Sequence, residues 1–312
     1  MYHPYFRGKQ YELITIRERS ELIAQHDFCP IIEPVKDNLS SLKKTTAELC
    51  DKNANFILIV NPKFGDLKTN TLPLFSELID DSLKGYERFS LGYIADADCN
   101  LMDIKTFIDD YQGHSIALIH YGFPKGKDLS TLLAKTDNVT KHIFIDGYSG
   151  KLYQKHFKEV DRVLIRDGFE KQKNADYKEQ DHFFDLHVTY EDEGMNGFGD
   201  FLIVGDDYME TGGPAYAIAI HLTCLDGEGD MFVRHFISDR TNTPTDPAGK
   251  FFEALEKLVE VLKSEDCPIF RSSACEEYLA LHKKGHFPGL GTVKKLSMVH
   301  HLELIAEYMK QA

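Results

Sequence analysis

Short apolar runs alternate along the chain with longer amphipathic stretches. FCPIIEPV precedes SSLKKTTAELCDK, NFILIVNP precedes TLPLFSELIDDSLKG, and RFSLGYIADAD precedes MDIKTFIDDYQG. HSIALIHYG with KDLSTLLAK, TKHIFIDGY with KLYQKHF, and then VDRVLIRDG continue the series; DFLIVGDD and AYAIAIHLT supply two further candidate strands. Strands apolar at nearly every position, alternating with helices, mark a parallel sheet covered on both faces. The residues that close the runs (Glu33, Asn61, Asp96, His120, Asp146, Asp167 and Asp206) recur at the spacing of one βα unit. The expected fold class is therefore α/β, a (β/α)8 TIM-like barrel of about 250 residues. An open doubly wound sheet is the rival; it expects a Gly-rich phosphate turn after the first strand, and EPVKDNLS has none.

Two features depart from a plain barrel. AYAIAIHLTCL is joined by DGEGD to MFVRHFISDR, the pattern of an antiparallel hairpin, which either overhangs the barrel or makes the eighth unit irregular. Beyond it, Asp246 is placed to cap and Pro247 to start a helix whose apolar face is Phe251, Leu255, Leu258, Val259 and Leu262. SSACEEYLALHKKG and TVKKLSMVHHLELIAEYMKQA read as two closing helices around HFPGLG. The expected organisation is a barrel over residues 1–265, with the N-terminal helix and the late hairpin, and a helical extension over 266–312 packed on the same domain.

Composition narrows the setting. The start YELITIRERSELI is amphipathic where a secretory signal needs an uninterrupted apolar stretch, so the amino terminus reads as structure. No apolar run approaches the roughly 18 residues of a membrane span. The six cysteines lie scattered with no C-x-x-C pair, as expected of reduced thiols in a cytoplasmic protein. A formal net charge of −14 argues against a broad nucleic-acid coat or an anionic membrane surface as partner, while leaving room for a local basic groove.

If the fold is a barrel, its chemistry belongs at the carboxyl ends of the strands. Helices return antiparallel to strands, so the helix YELITIRERSELIA begins at that face and brings Arg7 and Lys9 to it. The candidate ligand-binding set is Arg7, Lys9, Glu33, Asn61, Arg166, Asp206 and Asp207. Asp96 and Asp98 stand two apart, so an extended backbone points both carboxylates the same way. With Glu33 and Asp146 they form a candidate oxygen-donor set for Mg²⁺ or Mn²⁺. His120, Asp146 and Asp167 are the candidate acid–base groups. Each of these residues has an alternative reading as a cap or turn former. No H-E-x-x-H, G-x-S-x-G or G-x-x-x-x-G-K-[ST] sequence fixes a reaction class. GDDYMETGGPAYAIAIH reads as a turn between strands, with a loop closing over a site as the alternative, and His300 and His301, adjacent within a helix, as structural groups.

MYHPYFRGKQYELITIRE, PIIEPVK, VGDDYMETGGPAYAIAIHLT, RHFISDRTNTPTDPAGKFFEAL and HFPGLGTVKKLSMVHHLELIA resemble the signature stretches of a bacterial family named after a myxobacterial genome locus. The opening, PIIEPVK and FGDF are more distantly similar to the phage-derived beta-protein family. The resemblance implies a partner: a small protein of the PD-(D/E)xK nuclease type, in a two-gene arrangement typical of defence systems. It supplies no catalytic residues. Three readings follow. The first is a recognition or regulatory component that binds an anionic, phosphate-bearing or nucleotide ligand at the barrel mouth. The second is a metal-dependent hydrolase of phosphate esters. The third is an inactive scaffold whose mouth is filled by salt bridges such as Arg7 with Glu33.

Overall fold

The structure, a computed structural model, describes residues 1–158, 160–210 and 212–311. The chain divides into two compact units, Met1–Arg166 with Thr189–Phe201, and Asp167–Val188 with Leu202–Ala312.

The first unit is an α/β barrel. Its strands are β1 (Tyr5–Phe6), β2 (Ile31–Ile32), β3 (Phe56–Ile59), β4 (Phe89–Asp96), β5 (Ile116–Tyr121), β6 (Val139–Ile145) and β7 (Asp161–Ile165). β8 (Gln180–Phe184) belongs to the second unit, and β9 (Gly197–Gly199) completes the barrel. The eight barrel strands pair in parallel in the order β1-β2-β3-β4-β5-β6-β7-β9. Closure comes from backbone bonds between the two ends of this order: His3 N donates to Phe198 O (2.8 Å), Tyr5 N to Asp200 O (2.8 Å) and Phe198 N to Met1 O (3.1 Å). The connecting helices are α1 (Gln10–Glu18), α2 (Ser20–Gln25), α3 (Ser40–Asp51), a π-helical segment (Leu74–Ser82), α4 (Leu101–Asp110), α5 (Gly126–Leu133) and α6 (Lys151–Gln154). Branched side chains fill the interior: Ile31, Ile57, Ile59, Ile94, Ile119, Ile143, Ile145, Val163 and Ile165, with Tyr5 and Phe201 above them, form one buried cluster. Every second residue of a strand faces inward; burial in the resulting packed interior, and not a pore, is what holds the barrel.

Six expected strands are present, and the other two are reassigned. DFLIVGDD is not a strand: Leu202 has φ 50°, a left-handed conformation that ends the extended chain. AYAIAIHLT is not the eighth barrel strand. It contributes β10 (Ala219–Leu225), which pairs antiparallel with β11 (Met231–Ile237), and β11 pairs antiparallel with β8. The barrel positions are taken by Tyr5–Phe6 and Gly197–Gly199, each only two or three residues long.

The second unit therefore holds a three-stranded antiparallel sheet, order β10-β11-β8, with α8 (Pro247–Lys263), α9 (Ser273–Lys284) and α10 (Leu290–Gln311); the short α7 (Leu186–Thr189) precedes β9. α8 forms as its sequence requires. The Asp246 side chain accepts from Gly249 N (2.9 Å), Pro247 opens the first turn, and Phe251, Leu255, Leu258, Val259 and Leu262 are buried in the same cluster as Ile218, Ile220 and Leu222 of the sheet. The loop before β10 is held by Lys250, fully buried, whose ammonium donates to the carbonyls of Ala215 (2.5 Å), Tyr216 (3.0 Å) and Thr243 (2.8 Å). Thr211 of that loop lies outside the described residues. Among the described residues no helix is long and apolar enough to cross a membrane.

Candidate functional site

β1 ends at Phe6, so Arg7 stands at the carboxyl end of the first barrel strand. Arg7 is carried there by β1, a strand that the apolar pattern does not predict, and α1 begins three residues further on. Glu33 follows β2 at the same end and is fully buried; Arg7 is almost so. The two form a salt bridge through Arg7 Nη1 and Glu33 Oε2. The Tyr5 hydroxyl donates to the same oxygen (2.8 Å), and the Lys63 amide donates to Oε1 (2.8 Å). Both carboxylate oxygens of Glu33 are thus engaged by protein donors. The guanidinium lies against the rings of Phe64 (4.8 Å), Tyr5 (5.1 Å) and Phe201 (5.3 Å). The Arg7 amide donates to Glu12 Oε2 (2.6 Å), fixing the turn into α1. This turn is tight enough to need Gly8 at φ 63°, because a Cβ there would meet Glu33 O at 2.8 Å. Lys9 sits at the N-cap of α1 with no side-chain cap bond.

Beside this pair lies a cation of a different kind. Lys63, half-buried in the NPKFG loop after β3, holds its ammonium 3.9 Å from the ring centre of Tyr121 and 5.9 Å from that of Tyr148. The two tyrosines stack at 4.2 Å, Tyr121 buried and Tyr148 half exposed. Among the described residues no carboxylate pairs with the Lys63 ammonium. Tyr121 follows Ile119 on the inward face of β5 and belongs to the interior cluster, so Lys63 stands over the barrel axis end of that strand.

The other expected residues do not join this group. Asn61 bonds the backbone of the neighbouring strand, donating to Ile94 O (2.9 Å) and accepting from Ile94 N (2.8 Å), which stitches the ends of β3 and β4 together. Asp96 Oδ1 accepts from Asp98 N (3.0 Å) and Cys99 N (3.2 Å), a turn former at the start of the β4–α4 loop. Asp146 accepts from Arg166 Nε (2.6 Å) and Arg166 Nη2 donates to Glu193 (2.7 Å), so these three form a rim ion network. Glu33, Asp96, Asp98 and Asp146 do not converge: among the described residues no three of His, Cys, Asp and Glu are gathered as ligands for one metal ion. The oxygen-donor set expected for Mg²⁺ or Mn²⁺ is not formed.

His120 also differs from expectation. It lies on the outward face of β5, fully buried between the rings of Phe144 (4.6 Å) and Phe157 (4.5 Å). Its Nδ1 is 2.8 Å from the Tyr153 hydroxyl and its Nε2 2.9 Å from His142 Nδ1. Burial, and then the neighbouring His142, hold its pKa well below the ordinary imidazole value. The ring, bonded at both nitrogens inside an apolar layer, thus lies on the face of β5 opposite Tyr121 and away from Lys63. Asp167, Asp206 and Asp207 belong to the second unit. There Asp167 accepts from Phe169 N (3.0 Å) and Asp206 N (2.7 Å), and Asp207 O accepts from Lys171 Nζ (3.0 Å), so the three organise a loop. His300 and His301 are buried and bond Thr223, His300 Nε2 at its carbonyl (2.7 Å) and His301 Nδ1 at its hydroxyl (3.1 Å), in keeping with a structural role.

The site formed at the strand ends is thus a neutralised ion pair flanked by a lysine on an aromatic platform. Tyr5, Lys63, Phe64, Tyr121, Tyr148 and Phe201 belong to it and were not among the candidates drawn from strand-terminal acids. No family model matches the chain, and no curated protein shows significant similarity to it.

Proposed function

We propose that the protein is a recognition component, not a catalyst, and that its barrel mouth binds an anionic, phosphate-bearing ligand of nucleotide type. The reading rests on Lys63: a half-buried ammonium over Tyr121 with no carboxylate partner among the described residues. The adjacent acid, Glu33, is already saturated by Arg7, Tyr5 and the Lys63 amide, so it offers neither a proton acceptor nor a vacant metal ligand. A positive charge beside a half-exposed tyrosine face suits a ligand that presents both a phosphate and a stacking base. The resemblance noted in the sequence adds a cytoplasmic partner of the small nuclease type, which the bound ligand would direct or restrain.

A fluorescent phosphorylated dinucleotide is the probe. Binding that weakens about tenfold in Lys63→Ala and similarly in Tyr148→Ala, in line with about 1–3 kcal/mol for a stacked base, supports the reading. Equal affinity in wild type and Lys63→Ala removes it. The partner is tested by affinity purification from the native host, where recovery of a small nuclease is the expected result.

A further inference from the structure

We infer a second anion site, separate from the mouth, in the groove between α1 and the β2–α3 loop, and assign it to a phosphomonoester with an apolar or aromatic body. The groove is a cavity of about 500 Å³, within the range of small-molecule pockets. Its floor is apolar, from Leu13, Ile14, Val35 and Leu42. Among its described lining residues the charged ones are three cations, Arg17, Lys36 and Lys44, against one acid, Asp37, in a chain of net charge −14.

The cations differ in how they are held. Lys36 has Asp66 nearby at 3.6 Å. Arg17 pairs with no acid among the described residues: its Nη1 donates to Ser41 O (3.1 Å), Ser41 Oγ (3.1 Å) and Thr45 Oγ1 (3.3 Å). These bonds fix the plane of the guanidinium and leave Nε and Nη2 without a partner among the described residues. A fork oriented in advance, with two donors unspent, is suited to the oxygens of a phosphate. Lys44 is exposed one turn along α3 and forms no ion pair among the described residues. The first turn of α3 opens into the same groove; Asn38 Oδ1 accepts from the Ser40 amide (3.0 Å), so the helix adds its dipole, and not that amide, to the field set by the side chains. The apolar floor gives the remainder of the ligand a surface to bury, which distinguishes an organic phosphate from a free one.

The test is calorimetric titration with AMP, adenosine and inorganic phosphate in the Lys63→Ala background, which disables the mouth and separates the two sites. AMP is expected to bind, and adenosine and inorganic phosphate to bind at least tenfold more weakly. Arg17→Ala is expected to lower AMP affinity about tenfold or more. Lys44→Glu, a reversal at an exposed position that leaves folding intact, is expected to lower it as well. Absence of AMP binding up to about 1 mM, unchanged affinity in Lys44→Glu, or adenosine binding as tightly as AMP each overturns the assignment.

Discussion

Arg7 and Glu33 are charges that the barrel has taken out of water, and each is tolerable only because of the other. The Tyr5 hydroxyl and the Lys63 amide satisfy what the guanidinium leaves over on Glu33. Removing one partner exposes the full desolvation cost of the survivor, whereas removing both does not. Arg7→Met is therefore expected to lower the unfolding free energy by about 3–5 kcal/mol. The double variant Arg7→Met with Glu33→Gln should recover part of that loss. Urea unfolding measures both. A change in Arg7→Met within about 0.5 kcal/mol, the range of ordinary surface substitutions, would show that the pair is hydrated and structurally unimportant. The same chemistry explains how the strand-end acids serve the fold. The acids sit where turns need acceptors, as Asp96 does for Asp98 and Cys99, while Lys63 at the mouth lies over an aromatic ring with no carboxylate partner among the described residues.

At the scale of elements, two periodicities decided what could be read in advance. The long apolar runs are β2 to β7, and their alternation with helices is enough to predict a parallel sheet. The capped helix α8 was equally legible, since Asp246, Pro247 and the apolar face all agree. β1 and β9 are not: the equally short β2 lies inside the apolar run FCPIIEPV, whereas these two lie in no such run. Their positions depend on long-range contact: Gly197 and Gly199 let β9 approach the segment around His3, where a Cβ on Gly199 would fall 2.0 Å from His3 O. AYAIAIHLT, more apolar and better patterned, was the natural candidate for a strand that two glycines actually provide. Parity within a strand was a signal left unused. Ile119 is interior, so Tyr121 must share its face and His120 the opposite one. Gly199→Ala tests the closure directly. It is expected to cost about 1–3 kcal/mol through overpacking and to speed hydrogen exchange at the His3 and Tyr5 amides, which bond across the closing edge. Protection unchanged at those two amides would mean that the barrel does not close there.

For the whole molecule, pH dependence follows from histidines that both units keep buried and neutral. Burial lowers His142 in the first unit to about 4, aided by Arg162, and lowers His300 in the second to about 4. His235 is likewise pushed down to about 4 by burial, against the opposing pull of Asp181. The unfolded chain protonates these rings near their ordinary value of about 6.5, while the folded chain does not until about 4. Over that interval the unfolded state binds more protons, so stability must fall as pH falls, by up to roughly 1.4 kcal/mol per pH unit for each such ring. Above about 6.5 the contribution is absent. Urea midpoints measured from neutral pH down to about 4.5 should therefore decline steadily well before most carboxylates titrate. His142→Leu should flatten the decline by removing one titrating ring, even if its loss of the bond to His120 lowers stability at neutral pH. A midpoint that holds level or rises through this interval would mean that the rings are hydrated and protonate in the folded protein. The buried layer around His120, Phe144 and Phe157 would then have to be wet.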